Sequence, residues 1–295
     1  MATKPAIEPL DLRTGRIAIV AGGGRLPVDL ANGLREKGIT PFIVQLIGEV
    51  SDPKNFAGLP GFEVTLERGP TVISRLRKEG VTHLVMAGTV ARRPRLSQVR
   101  PIRNVIPIAA KLAVALMRGD DTLLRGVVGY VESNGIKVVG AHQLTPDLVI
   151  GEGAHTRRKP RRADQADIDA AMQAAKTIGR LDIGQAAVAI GRRVIALEGI
   201  EGTDGLLKRV ADLRGHGRLA GKKGGVLVKA AKPDQEMRVD LPSIGIQTII
   251  DAHLAGLNGV AVEADSSLAL GFGEMIDKAN ELGLFVVGVR AEPKS

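Results

Sequence analysis

The apolar positions of this chain switch repeatedly between strand and helix spacing. Arg16 to Ala21 (Arg-Ile-Ala-Ile-Val-Ala) is a β-branched run opening into Gly22-Gly23-Gly24-Arg25-Leu26-Pro27. Val28, Leu30, Ala31 and Leu34 then recur at helical spacing as far as Gly38, with Pro27 in the first turn, where a missing N–H costs nothing. The same alternation gives a strand at 41–46, a helix at 72–78 and a strand at 83–87. Residues 105–117 are apolar almost all round, as expected of a buried helix, with an acyl-chain or membrane contact as the other reading. After Asp120 and Asp121, either of which suits a helix cap, a last strand at 136–140 closes the first lobe.

Pro146, Gly151, Gly153 and Pro160 interrupt the pattern, and a hinge is expected over 151–163. A helix at 164–180 follows, then two apolar runs (186–190 and 194–197) at hairpin spacing around Gly191-Arg192, where arginine is a poor second residue for a primed turn. Glu198 to Gly205 is an acidic glycine-rich loop entering a helix, with Thr203 as the natural N-cap. The remaining elements are a strand at 224–228, a helix at 247–254, a strand at 260–263, a helix at 272–282 and a strand at 284–289. The fold class is therefore α/β in two lobes. Residues 14–150 form an N-terminal Rossmann-like parallel sheet, and 164–290 a C-terminal mixed α/β domain.

Composition changes this picture in three ways. Of 295 residues 2% are aromatic, so the core is built from aliphatic side chains and stacking platforms for single-stranded nucleic acid are disfavoured. The absence of cysteine excludes disulfides and thiolate metal sites. No apolar run nears the ~20 residues of a membrane span, and the first 13 residues lack the apolar centre of a signal peptide. Net charge is +9, with clusters at Arg92-Arg93-Pro94-Arg95 and at Arg157-Arg158-Lys159-Pro160-Arg161-Arg162. Such runs are ordinarily solvated, but they also suit an anionic partner.

The densest candidate chemistry lies in Lys229 to Pro242, at the exit of the 224–228 strand. Glu236, Arg238 and Asp240 alternate with Met237 and Val239, so an extended segment would project the three charges from one face. Two carboxylates, an arginine and two nearby lysines suit a divalent cation and a phosphate; a solvated charged turn is the plainer reading. The loop at 22–27 offers amides to a phosphate, yet Pro27 occupies the third glycine position of the dinucleotide fingerprint. Glu49 is at most an arguable ribose-binding acid. Gly88-Thr89 ends a strand where open α/β sheets bind ligands, and the amides near Thr203 form a second anion site. His142 has no second histidine at metal-ligand spacing.

Five segments in order are similar to the LpxI family: 21–27, 88–94, 119–124, 196–204 and 229–242. The resemblance implies metal-dependent hydrolysis of UDP-2,3-diacylglucosamine to UMP and 2,3-diacylglucosamine 1-phosphate (lipid X), in a cleft between two α/β lobes. It implies a cytoplasmic enzyme of a Gram-negative bacterium, peripheral to the inner membrane that carries its acylated UDP-sugar substrate. On that basis Asp240 with Glu236 or Asp234 holds Mg²⁺ or Mn²⁺, and Lys229, Lys232 and Arg238 meet phosphate oxygens. Asp240, Glu236, Lys229 and Arg238 form the catalytic set. Gly23, Gly24, Leu26, Pro27, Gly88, Thr89, Asp120, Asp121, Gly202, Thr203, Asp204, Lys232 and Gln235 bind substrate. The family pattern usually carries Asp where this chain has Glu236, which lengthens the reach by a methylene. A homodimer is an open expectation and nucleic acid is not an expected partner. The alternatives are a Rossmann-type nucleotide-sugar or NAD-dependent enzyme, and a basic protein that binds membrane or nucleic acid without turnover.

Overall fold

The computed structural model describes residues 15–91, 120–219, 221–233 and 235–290, with only the backbone of 69–70 and 120–122. The apolar run at 105–117, the first basic cluster, Asp234 and the side chains of Asp120 and Asp121 lie outside the described residues. The chain divides into two compact units. One runs to Pro146 and takes in Glu236–Asp240; the other comprises Asp147–Gln235 and the chain from Leu241.

The first unit is built on β1 (Arg16–Ala21), β2 (Phe42–Leu46), β3 (Gly61–Val64), β4 (Val81–Ala87) and β5 (Lys137–Val138). These form one sheet of order β3-β2-β1-β4-β5, with every pair parallel. Its helices among the described residues are α1 (Leu26–Glu36), α2 (Gly69–Lys78), α3 (Asp120–Ser133) and the short α4 (Ala141–Leu144). Pro27 does stand in the first turn of α1, and Gly38 beyond its end takes φ +76°. One core cluster sets Ala18, Phe42, Val44 and Leu84 of the sheet against Ile73 and Leu76 of α2 and Val128 and Val131 of α3. Burying each of the larger side chains contributes about 1.5–3 kcal/mol.

The second unit holds a six-stranded mixed sheet of order β6-β13-β11-β9-β7-β8. Its strands are β6 (Gly153–Ala154), β7 (Ala186–Ile190), β8 (Arg193–Leu197), β9 (Val226–Lys229), β11 (Gly259–Glu263) and β13 (Phe285–Val289). Strands β9, β11 and β13 run parallel, while β6, β7 and β8 supply antiparallel pairs. A separate two-stranded parallel sheet joins β10 (Ser243–Gly245) to β12 (Leu268–Leu270). Alternate residues of β9 face opposite sides. Val226 and Val228 meet Ile168, Met172 and Ala175 of α5 (Arg162–Arg180). Leu227 faces α6 (Gly202–Asp212), α7 (Ile246–Leu254) and α8 (Phe272–Glu281) through Leu206, Ile249 and Met275. Helices cover both faces, which is why the strands read as continuous apolar runs.

Two local features explain themselves chemically. Gly191 and Arg192 both adopt positive φ (59° and 68°), the primed-turn geometry that joins β7 to β8. Arginine is tolerated there because its amide donates to the buried Asp167 carboxylate of α5. Within 151–163, β6 pairs with β13, and Arg158 donates to the Gly283 carbonyl oxygen at 2.6 Å. Arg157, Lys159, Arg161 and Arg162 are exposed.

Candidate active site

In the first unit the chain leaves β1 for β2 on one side of the sheet and later adds β4 on the other. The loops after β1 and β4 therefore diverge at a switch point, the place where open α/β sheets receive ligands. Here they are tied together. Gly22 N–H donates to Ala87 O (2.8 Å), Gly23 N–H to Thr89 O (2.8 Å), and Thr89 N–H back to Gly23 O (2.9 Å). The approach is so close that only glycine fits. A Cβ on Gly22 would lie 2.5 Å from Thr89 O, and one on Gly88, at φ +91°, 2.4 Å from Gly23 O and 2.9 Å from Pro27 Cγ. The loop after β2 joins them, with Ser51 Oγ accepting from Gly24 N–H (3.1 Å) and the buried Glu49 Oε2 accepting from Ala91 N–H (2.7 Å).

The structure thus gathers Gly23, Gly24, Leu26, Pro27, Gly88 and Thr89 as one cluster. It also corrects the chemistry expected of them. The amides of Gly22, Gly23 and Gly24 are donated within the protein and do not stand open for a phosphate. Glu49, weighed as a ribose acid, instead anchors the β4 loop.

The first unit also contains Glu236–Asp240, and this segment is not extended. The amides of Val239 and Asp240 both donate to Glu236 O at 3.0 Å, closing a turn that packs Val239 against the first-unit core. Instead of projecting separately, the charges fold onto one another. Arg238 engages both oxygens of Glu236 (Nε–Oε1 2.8 Å, Nη2–Oε2 2.9 Å) and donates a third bond to Glu132 Oε1 of α3 at 2.7 Å. This bidentate pairing holds the Glu236 carboxyl below its ordinary range and raises the guanidinium. Glu236 and Arg238 are therefore paired with each other in a closed turn and do not project from one face of an extended segment. Asp240 follows, partly exposed. Gly140 lies alongside: a Cβ there would sit 2.6 Å from His142 Nδ1 and 3.2 Å from Arg238 Cα. Burial lowers the His142 pKa, and its Nδ1 is buried without a hydrogen-bond partner.

In the second unit the candidates collect at the carboxyl ends of β9 and β11. Lys229, the last residue of β9, is buried, and its Nζ donates to Ser243 O of β10 at 2.9 Å. Lys232 pairs with Asp182 (2.5 Å), and its amide donates to Oε1 of the buried Gln235 (3.0 Å). Between these lysines stands a group that the sequence reading missed. Lys176 of α5 and Glu263, the last residue of β11, form an ion pair at 2.5 Å. A charge at each inward position, Glu263 ending an apolar strand and Lys176 one turn from Met172, was the available signal.

At the end of β8, Gly202, Thr203 and Asp204 open α6, but Thr203 is not its N-cap; Glu201 occupies that position. The Thr203 hydroxyl donates to Oε1 of the buried Glu198 (2.7 Å), whose Oε2 accepts from Gln185 N–H (2.7 Å). The competing carboxylate captured the hydroxyl that capping would have used. Among the described residues, no three His, Cys, Asp or Glu side chains form a metal-binding group, and no helix is long and apolar enough to cross a membrane.

These features define a two-unit α/β protein in which several candidate residues stand at the carboxyl ends of parallel strands in each unit. More specifically, the chain belongs to the LpxI family: residues 16–148 match the LpxI N-terminal domain and 151–287 the LpxI C-terminal domain. It is 41% identical over 278 residues to the UDP-2,3-diacylglucosamine pyrophosphatase LpxI of Caulobacter vibrioides, covering 93% of this chain and 97% of that one. Among solved structures, Bordetella bronchiseptica WbmG, crystallised with NAD and UDP, is similar at a TM-score of 0.26 (16% identity, 43% of this chain and 37% of that one). The structure titled gox2253 reaches 0.30 (12% identity, 94% and 90%). Both likenesses are too slight to bear on fold or function.

Proposed function

We propose that this protein hydrolyses the pyrophosphate bond of UDP-2,3-diacylglucosamine, giving UMP and 2,3-diacylglucosamine 1-phosphate. The observation that carries the reading is the near full-length identity to a relative of that name. Chemistry at the strand ends supports it. The ammonium groups of Lys229 and Lys232 suit phosphate oxygens, and the loops at Gly22–Pro27 and Gly88–Thr89 suit contact with the substrate.

Mg²⁺ or Mn²⁺ would serve as cofactor, with Asp240 as its ligand among the described residues. Glu236 is not assigned to the cation, because both its oxygens engage Arg238. One carboxylate is enough where substrate phosphates complete the shell, as is usual for Mg²⁺. A cation bound there would polarise phosphorus and neutralise charge on the departing phosphate. Asp240 orients the attacking water and accepts its proton, Lys229 and Lys232 hold phosphate oxygens, and Arg238 keeps the Glu236–Asp240 turn closed. An acylated substrate would be met at the cytoplasmic surface of the inner membrane, which the exposed Arg157, Lys159, Arg161 and Arg162 would approach. Incubating purified protein with the substrate and Mg²⁺ or Mn²⁺ tests the proposal: UMP should accumulate, and no UMP above a protein-free control would refute it.

A further inference from the structure

Ala231 lies between Lys229 and Lys232, and both polar groups of its backbone are held by one ion pair, in which Glu263 is buried and Lys176 partly exposed. Its N–H donates to Glu263 Oε2 at 2.9 Å, and its carbonyl oxygen accepts from Lys176 Nζ at 3.1 Å. Lys176 and Glu263 are themselves joined at 2.5 Å. One residue upstream, Ala230 N–H donates to Gln185 O (2.9 Å); one downstream, Lys232 N–H donates to Gln235 Oε1 (3.0 Å). From Ala230 to Lys232, every backbone N–H is therefore held by a hydrogen bond.

Filling a core does not require such a pair. An ion pair drawn partly out of water loses some of its attraction to desolvation, and apolar residues of like volume at such a site are often as stable. What apolar residues cannot do is grip a peptide unit by its N–H and its C=O together. We infer that Lys176 and Glu263 are positioning residues that fix the backbone at Ala231 and thereby aim the Lys229 and Lys232 ammonium groups. The inference rests on the hydrolase reading above, in which those two groups hold phosphate oxygens. Misplacing a phosphate-binding cation by an ångström weakens transition-state contacts more than ground-state ones.

The test uses Lys176→Met, Glu263→Gln and the conservative Lys176→Arg in the full chain. Two quantities are measured: UMP release with kcat and KM separated, and hydrogen exchange of the Ala231, Lys232 and Gln235 amides. Lys176→Met and Glu263→Gln should lower kcat at least about tenfold with KM within about threefold. Exchange at Ala231, Lys232 and Gln235 should quicken at least about tenfold while the amides of β9 and β11 keep their protection. Lys176→Arg, which keeps charge and donors, should recover kcat to within about fivefold of wild type. If a single variant does not fold, the double variant Lys176→Met/Glu263→Gln replaces it, since it leaves no unpaired buried charge. In a folded variant, unchanged kcat or unchanged exchange overturns the inference. Wild-type protein that releases no UMP refutes the hydrolase reading instead, and exchange alone then decides the inference.

Discussion

The switch-point loops of the first unit permit a quantitative test of close backbone approach, because three neighbouring glycines are needed for separable reasons. Gly24 has φ +82° with nothing within 4 Å of a Cβ, so Gly24→Ala meets only the positive-φ penalty, about 1–2 kcal/mol. Gly22 does not adopt a positive φ, but its Cβ would lie 2.5 Å from Thr89 O, so Gly22→Ala meets only overlap, about 1–3 kcal/mol. Gly88 combines φ +91° with a contact 2.4 Å from Gly23 O. Gly88→Ala should therefore cost about the sum, roughly 2–5 kcal/mol. The chain has no tryptophan and a single tyrosine, Tyr130, packed against the first-unit core. Tyrosine fluorescence consequently reports urea unfolding of that unit alone. With a slope of about 2 kcal/mol per molar urea, the midpoint should fall by about 1–2.5 M for Gly88→Ala and by about 0.5–1 M for Gly24→Ala. Equal shifts for the two variants, or no shift for Gly88→Ala, would refute the close-approach argument.

Three further outcomes are expected. Glu236 has its folded pKa depressed by Arg238, so its contribution is present above the unfolded value of about 4.3 and is lost as pH falls through the lower folded value; Glu236→Gln should abolish that acid-side loss in Tyr130-monitored unfolding, and an unaltered pH profile would count against the ion pair. Asp240→Ala should lower kcat at least about 100-fold with a smaller change in KM, and excess chelator should silence the wild type until Mg²⁺ or Mn²⁺ is restored; turnover that survives either treatment removes Asp240 or the cation from the mechanism. Replacing Arg157, Lys159, Arg161 and Arg162 by Ser, while sparing Arg158 because it donates to Gly283 O, should weaken sedimentation with anionic vesicles and leave folding unchanged; equal sedimentation would make the cluster a solvated surface.

Much of the fold was legible because most elements carry a period and a punctuating residue. Pro27, Gly38 and Gly191 each mark a boundary that the structure keeps. Elements without such a signal were missed. Strand β3 (Gly-Phe-Glu-Val) is too short to show alternation, and the β10–β12 pair has three residues a strand. The charged stretch was located but its geometry misread. Alternation over 236–240 fits an extended strand, yet it equally fits a turn that buries Val239, and pairing of Arg238 with Glu236 selects the turn. Similarly, Thr203 satisfies the rule for an N-cap, but the nearby buried Glu198 takes its hydroxyl. Lys176 and Glu263 escaped for a different reason: 87 residues separate them, and no local pattern joins a helix lysine to a strand-end glutamate.

Product analysis tests the central claim most directly. Purified protein, UDP-2,3-diacylglucosamine and Mg²⁺ should yield UMP and 2,3-diacylglucosamine 1-phosphate in equal amounts, identified by mass spectrometry, at a rate that rises with protein concentration. UDP with free diacylglucosamine, or substrate recovered intact, would contradict it.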